Sequence, residues 1–305
     1  MNLFEKSHIF GGSSFLNQNR LHNGFHYSRS KKTRDLCRNT FSLFTLDYPD
    51  IVIDVPNNYY AIPNNRSILD FETFKGIFEH ENVPFRQSDL EVLTDIEGSI
   101  VVDEKHIDPI KAKHYFKHRL ADILIEQELN ESELDKLTKQ YDIVVNVTNN
   151  ALKPLSNHYY ELSLTLLYTR KIEKGFGAIT MVDGPLFSIY PYNEDDYTVT
   201  DVEYTPLYTC DALQDLVRYK TSLTHNNVDQ IKQKIEQKIK HYYNDFNNHF
   251  IYKGYYTSMK VKNSSQSADR SPIIVQEDNL ITCVTGKIQG IYTLENYIQD
   301  EIASR

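Results

Sequence analysis

The sequence predicts a mixed α/β (α+β) fold in which an incomplete parallel-sheet domain is interleaved with an antiparallel β-rich domain covered by helices. Three observations predict it. Asp142-Ile143-Val144-Val145-Asn146-Val147-Thr148 is almost continuously apolar, as a strand buried on both faces of a parallel sheet is. Beyond Asn150 the texture changes to long β-favouring runs separated by charged and Gly-containing turns, the pattern of an antiparallel sheet. Ile231, Ile235, Ile239, Tyr242, Phe246 and Phe250 then recur at three to four residues, marking a long amphipathic helix laid on that sheet.

Along the chain, Leu3-Phe4-Glu5-Lys6 reads as a short apolar strand ending in an acid, as the second strand of a Rossmann-like unit does where it presents a carboxylate to a ribose hydroxyl. Such an acid follows a glycine-rich turn by about 20 residues. Only four residues precede Glu5, so the expectation is a domain truncated before its first strand, G-x-G-x-x-G turn and helix. Residues 31–46 have helical spacing, with Leu36, Phe41 and Phe44 on one face and Pro49 to stop the run. Residues 51–55 and 59–62 flank Pro56-Asn57-Asn58 and read as a hairpin, with the second run followed by a short helix capped by Asp70. Asp108-Pro109 starts a longer helix that carries Ile110, Phe116, Leu120 and Leu124 to one side, and the acidic residues 126–135 form a solvated helix face. Strands are expected at 159–169, 176–182, 186–192 and 198–204, with turns at Glu173-Lys174-Gly175 and Asn193-Glu194-Asp195-Asp196. Gly175-Phe176-Gly177, lying between two strands, is a hairpin turn rather than a nucleotide loop. Strands return at 255–261, 273–276 and 281–285 before a terminal helix from Thr293.

At 305 residues, 40% hydrophobic and 25% charged, the chain has ordinary globular usage and the size of one large or two medium domains. A net charge of −9 provides no basic footprint, so nucleic acid is not an expected partner. Cys37, Cys210 and Cys283 show no C-x-x-C spacing; neither a metal site nor a disulfide framework is indicated, and a reducing interior fits. No apolar run reaches the roughly 18 residues of a membrane span, and no signal-peptide pattern opens the sequence, so a soluble cytoplasmic protein is expected. Ser13 and Ser14 lack a G-x-S-x-G context, which leaves nucleophilic hydrolysis without support.

Asn17-Gln18-Asn19-Arg20-Leu21-His22-Asn23-Gly24-Phe25-His26-Tyr27, followed by Arg34-Asp35-Leu36-Cys37-Arg38, resembles the FAD-dependent oxidoreductases of the D-amino-acid oxidase superfamily, on the side of the 2-hydroxyglutarate and glycerol-3-phosphate dehydrogenases. In that family an N-x-x-x-x-H-x-G-x-x-Y segment passes beside the flavin, and Asn17, His22, Gly24 and Tyr27 fall on its positions. Residues 144–148 resemble the strand that returns to the cofactor. Asp183-Gly184-Pro185 with residues 187–192 resembles a substrate-domain strand pair, and Asp269-Arg270-Ser271-Pro272 through Gly286-Lys287-Ile288-Gln289-Gly290 resembles the C-terminal flavin-contacting segment. The chain departs from the pattern at Asn149, where the family usually has Gly, and at Lys287, where it commonly has His.

The resemblance implies an FAD-binding domain of residues 1–55, 95–150 and 265–305, incomplete at its start, and a substrate-binding domain of residues 56–94 and 151–264. It implies FAD as cofactor and a small-molecule substrate, an amine or 2-hydroxy acid oxidised by hydride transfer to flavin N5. Cofactor contacts would come from Glu5, Lys6, Ser13, Ser14, Asn17, Gln18, Asn19, Arg20, Leu21, His22, Thr148, Asn149, Gly286, Lys287, Ile288 and Gly290. His22 is the first choice for an acid-base group, its imidazole titrating ordinarily at about 6.5, with His26 and Tyr27 behind it; a loop-holding role is the alternative. Lys287 would stabilise negative charge on the reduced ring, or else face solvent in a turn. Arg270, with Arg29 and Arg20, could receive a substrate carboxylate through a guanidinium fork. Tyr190 and Tyr192, two apart on one strand, point the same way and either roof the substrate or pack in the core. The rival reading is a non-catalytic relic or interaction protein that keeps the fold without flavin.

Overall fold

The computed structural model describes every residue except Lys174 and residues 265–268, so Lys174 of the expected turn and the first residues of the expected C-terminal segment lie outside the described residues. A nine-stranded sheet dominates. Its hydrogen-bonded neighbours run Pro206–Cys210, His158–Arg170, Asp196–Asp201, Phe187–Pro191, Ala178–Met181, Asn58–Pro63, Ile96–Val102 and Phe85–Gln87, and Phe250–Asn263 pairs with His158–Arg170 as well. Neighbours are antiparallel except Asn58–Pro63 beside Ala178–Met181.

Strand alternation gives this sheet two unlike faces. On one, Leu164, Leu166, Ile179, Ile189 and Val199 pack against Val228, Ile235, Ile239 and Tyr242 of the helix His225–Tyr242. Each such fully buried aliphatic side chain contributes about 1.5–3 kcal/mol. The other face carries Glu161, Ser163, Thr165, Thr180, Ser188, Tyr190 and Thr198, all buried although most are polar. A polar face is buried only where something polar lies on it, and here that is the segment preceding Ser30, which is held to this face at Gln18 and Arg20.

Three small sheets stand beside the large one. Leu3–Glu5 pairs in parallel with Leu124–Glu126; Val144–Asn146 pairs in parallel with Leu280–Val284, itself antiparallel to Ile273–Glu277; and Lys105–Ile107 joins Arg20–Leu21 and Val52–Asp54. The apolar run around Val144 thus pairs with the C-terminal strand and not with Leu3 and Phe4. No helix among the described residues is long and apolar enough to cross a membrane.

Helix starts follow their local signals. Ser30 Oγ accepts from Thr33 N at the head of Lys31–Asp47, Asp70 Oδ1 from Thr73 N at 2.7 Å ahead of Phe71–His80, and Asp108 Oδ1 from Ile110 N at 2.9 Å ahead of Pro109–Arg119. Long-range pairings depart from expectation. Val52–Asp54 and Asn58–Pro63 form no hairpin, because Asn57 at φ 52 turns the chain out of one sheet into another, where the wholly buried Asn58–Pro63 needs a partner on each edge. Gly175 to Gly177 is likewise not a hairpin turn, since His158–Arg170 and Ala178–Met181 are separated by two other strands. Gly177 is required instead by crowding: a Cβ there would lie 2.2 Å from the Pro56 carbonyl oxygen. Ile96–Val102 belongs to the large sheet, on the far side of the boundary placed at residue 95. The helix from Pro109 ends at Arg119, leaving Ile110 exposed and Leu124 in a strand. The helix at His225 ends at Tyr242; Phe246 and Phe250 lie beyond it yet stack at 5.1 Å in the same core cluster, which explains why their spacing imitates its periodicity.

Candidate functional site

The segment from Asn17 to Ser30 crosses the polar face of the large sheet. Gln18 Nε2 donates to Thr198 Oγ1 at 3.2 Å and Gln18 Oε1 accepts from Ser188 Oγ at 3.2 Å. Arg20 donates to Thr180 Oγ1 at 2.7 Å, and its guanidinium lies 4.0 Å from the Tyr190 ring centroid. Phe25 anchors the far end against Tyr60 and Phe78. Gly24, at φ 103, starts the short 3-10 turn Phe25–Tyr27, a conformation other residues take at a cost.

The C-terminal segment meets this loop. Gln289, fully buried, donates through Nε2 to the His22 carbonyl at 2.7 Å and the Cys37 carbonyl at 2.9 Å. Lys287 Nζ lies 4.7 Å from the Tyr27 ring centroid, and His22, His26 and Tyr27 contact one another with ring centroids 5.2–5.5 Å apart. His26 is exposed and Tyr27 and Lys287 are partly so, yet burial displaces the protonation of all three. Side chains that keep accessible surface while protein crowds around them line a recess of the surface.

The recess is electropositive. Burial brings Lys287 down to about 8, and the charges of Arg270, Arg20 and Lys260 push the same way. Lys260 is also lowered, by burial first and then by Lys262 and Arg270 against the opposing Glu161. Neither Lys287 nor Lys260 has a carboxylate in salt-bridge contact among the described residues, whereas Lys262 is paired with Glu161. His22 is pushed down to about 4 by burial and by Lys287, so it does not titrate near neutrality as expected but stands as a neutral imidazole. His26 is lowered too, by burial first and by the positive charges of Arg20, Lys287 and Arg270. Beneath His22 lies Glu104, wholly buried: burial alone would raise its carboxyl, but His22, the Tyr60 hydroxyl and the Asn23 N–H outweigh that and keep it an anion.

Other expected site residues lie differently. Arg29 is engaged by Asp183 Oδ2 at 2.6 Å, and Ser13 donates to the Met259 carbonyl at 2.6 Å. Leu21 is sealed in a core cluster with Phe41, Phe44, Ile51 and Ile107, so its side chain faces away from the recess. Gly290 is required by packing, since a Cβ there would lie 2.3 Å from Thr285 Oγ1 and 2.6 Å from Pro272 Cγ; Gly286 borders Arg270. Ile288 and Ser14 are exposed, and Thr148 bonds Asn146 within its own loop. Asn149 takes φ 56, so where the family pattern has Gly this chain has the side chain that best tolerates left-handed backbone. Glu5 ends its parallel strand with Ser7 N as its side-chain partner, and among the described residues no hydrogen bond or ion pair joins Glu5 or Lys6 to the His22 group. Asn17 accepts from Tyr256 at 3.4 Å, and Asn19 is left-handed at φ 50. Tyr190 and Tyr192 are both buried on the recess side: Tyr190 carries Arg20, while Tyr192 meets Phe15 and Tyr256. Sequence reasoning missed Glu104, Gln289 and Lys260. Only Lys260 had a signal, its period-2 placement with Tyr256 and Ser258 on one strand; Glu104 reads as a charged turn between two apolar runs.

The sequence matches no protein-family model. It is 29% identical over 306 residues to the FAD-dependent monooxygenase FPY4 of Fusarium mangiferae, covering 95% of this chain and 81% of that protein. It is 25% identical over 334 residues to the FAD-dependent monooxygenase kojA of Aspergillus flavus, covering 96% and 78%. The structure superposes on glycine oxidase from Geobacillus kaustophilus with a TM-score of 0.68 at 10% identity, over 94% of this chain and 83% of that one. It superposes on L-amino acid deaminase from Proteus myxofaciens in complex with anthranilate with a TM-score of 0.64 at 10% identity, over 95% and 80%. The chain thus has homologues among FAD-dependent monooxygenases and the fold of the D-amino-acid oxidase-type flavin-dependent oxidoreductases.

Proposed function

We propose that the chain is an FAD-dependent oxidoreductase whose recess takes the flavin ring, and that it oxidises a small anionic amine or 2-hydroxy acid. The observation that carries this reading is the junction of the two chain ends: Lys287 over Tyr27, and Gln289 bonded to the His22 carbonyl. The residues fit the cofactor. Lys287 is an enclosed ammonium without a carboxylate partner among the described residues, which suits the negative charge that a reduced isoalloxazine carries on its pyrimidine side. When bound, the flavin supplies two-electron acceptance. The protein's part is orientation and proton handling: Tyr190 supports Arg20 from below, Lys260 and Arg270 place positive charge for a substrate carboxylate, and neutral His22 offers a ring nitrogen to a substrate hydroxyl or amine proton. Glu5, at the end of its parallel strand, is the candidate ribose ligand. Glycine oxidase and amino acid deaminases among the superposed structures support an amine or amino-acid-like substrate, and the two monooxygenase relatives support oxygen insertion as a second reading.

The test is the visible spectrum of the purified protein, alone and after incubation with FAD, followed by anaerobic addition of amines and 2-hydroxy acids. Flavin absorption that bleaches with one of these supports the reading. Failure to take up FAD overturns it, and a product that has gained oxygen under air selects the monooxygenase reading.

A further inference from the structure

Among the described residues Glu104 is a wholly buried carboxylate in contact with a residue of the recess, and none of the roles assigned above uses it. It sits between Ile96–Val102 and Lys105–Ile107, where the chain passes from the large sheet to the small one beneath the loop. Its Oε1 accepts from Asn23 N at 2.8 Å and its Oε2 from the Tyr60 hydroxyl at 2.6 Å, so two independent elements lock the carboxylate. The same Oε2 lies 3.4 Å from His22 Nδ1. That nitrogen is enclosed and has no hydrogen-bond partner, so the Glu104 carboxylate at 3.4 Å is its ion-pair neighbour rather than a formed hydrogen bond, while Nε2 of the same ring makes no hydrogen bond to a described residue. A buried anion facing one ring nitrogen places the imidazole proton there and leaves a lone pair on the other.

We propose that Glu104 is a positioning residue that holds His22 in the Nδ1–H tautomer, so that Nε2 faces the recess as a proton acceptor, with Tyr60 holding Glu104 in turn. The proposal rests on the reading of the recess as a substrate and flavin site. When His22 Nε2 takes a proton from a substrate hydroxyl or amine, both ring nitrogens carry protons and the ring becomes a cation; the charge of Glu104 stabilises that cation without receiving the proton itself. The other groups facing His22 are His26 and Tyr27 on its own loop, Arg20 beneath it and Lys287 from the C-terminal segment. Arg20 and Lys287 disfavour a charged imidazole, and Glu104 favours it.

The test is nitrogen NMR of protein labelled in histidine, with His22 assigned by its loss in His22→Gln. In the wild type, His22 is expected as a single tautomer protonated at Nδ1 at neutral pH. In Glu104→Gln the tautomer preference is lost and the ring protonates at still lower pH; Glu104→Asp restores the preference in part. An Nε2–H tautomer in the wild type, or a Glu104→Gln spectrum identical to the wild type, overturns the proposal. Should Glu104→Gln not fold, Tyr60→Phe, which removes one of the two locks, is expected to broaden the His22 tautomer signal while the wild-type spectrum still decides the matter. The measurement is made on the chain without added flavin as well as with it. Failure to bind FAD would sink the functional reading and leave the dyad intact, and the wrong tautomer would sink the dyad alone.

Discussion

Gln289 Nε2 reaches the carbonyl of His22 at 2.7 Å across 267 residues of sequence, and the same amide group donates to Cys37. This single buried side chain stitches the C-terminal segment to the Asn17–Ser30 loop and to the helix that follows it. Gln289→Leu takes the donor from the buried His22 carbonyl, while the Cys37 carbonyl, inside its helix, still accepts from Thr40 Oγ1 at 3.4 Å; one such orphan costs about 1–3 kcal/mol. Denaturant melts should show a loss of that size, accompanied by weaker FAD uptake; an unchanged midpoint would mean the two ends are held by other contacts.

Acid should weaken the protein before its carboxylates titrate. Burial holds His22 and His106 at about 4, below the ordinary 6.5 of an unfolded histidine. Between those values the unfolded chain binds protons that the folded one does not, so stability is complete above pH 6.5 and falls as pH drops toward 4. The lowering amounts to roughly 3 kcal/mol for each histidine. Melting temperature against pH checks this, and replacing His106 by Gln should flatten part of the slope.

Lys287→Met removes the neighbour that, after burial, most depresses His22. The His22 titration should therefore move upward, the direction opposite to that expected for Glu104→Gln. In FAD-loaded protein the same substitution should lower the flavin reduction potential, because a cation that favours the reduced, anionic ring is gone. Potentiometry and histidine NMR read the two effects separately.

Two glycines make a contrasting pair. Gly177→Ala forces a methyl to within 2.2 Å of the Pro56 carbonyl oxygen, and overpacking of this kind costs about 1–3 kcal/mol. Gly76, within the helix Phe71–His80, has nothing within 4 Å of where a Cβ would stand, and Ala there should add up to about 1 kcal/mol through helix propensity. Thermal melts of both variants should move in opposite directions.

Read alone, the sequence settled what depends on a few neighbouring residues. Ser30, Asp70 and Asp108 announced their helices because a cap bonds an amide two or three positions on. The strands around Leu164, Ile189 and Val199 were legible because alternation is written into each strand separately. The order of motifs from Asn17 to Gly290 pointed to the fold for the same reason. Tertiary structure decided which strand pairs with which, so that residues 51–62 became strands of two sheets instead of a hairpin, and Val144 joined Leu280. It also decided the electrostatics. His22 reads in sequence as a group poised near neutrality, and only its desolvation beside Lys287, with Glu104 brought up from 82 positions away, makes it a neutral ring of one orientation. Pairing partners and burial are set by residues distant in sequence, and no local pattern encodes them.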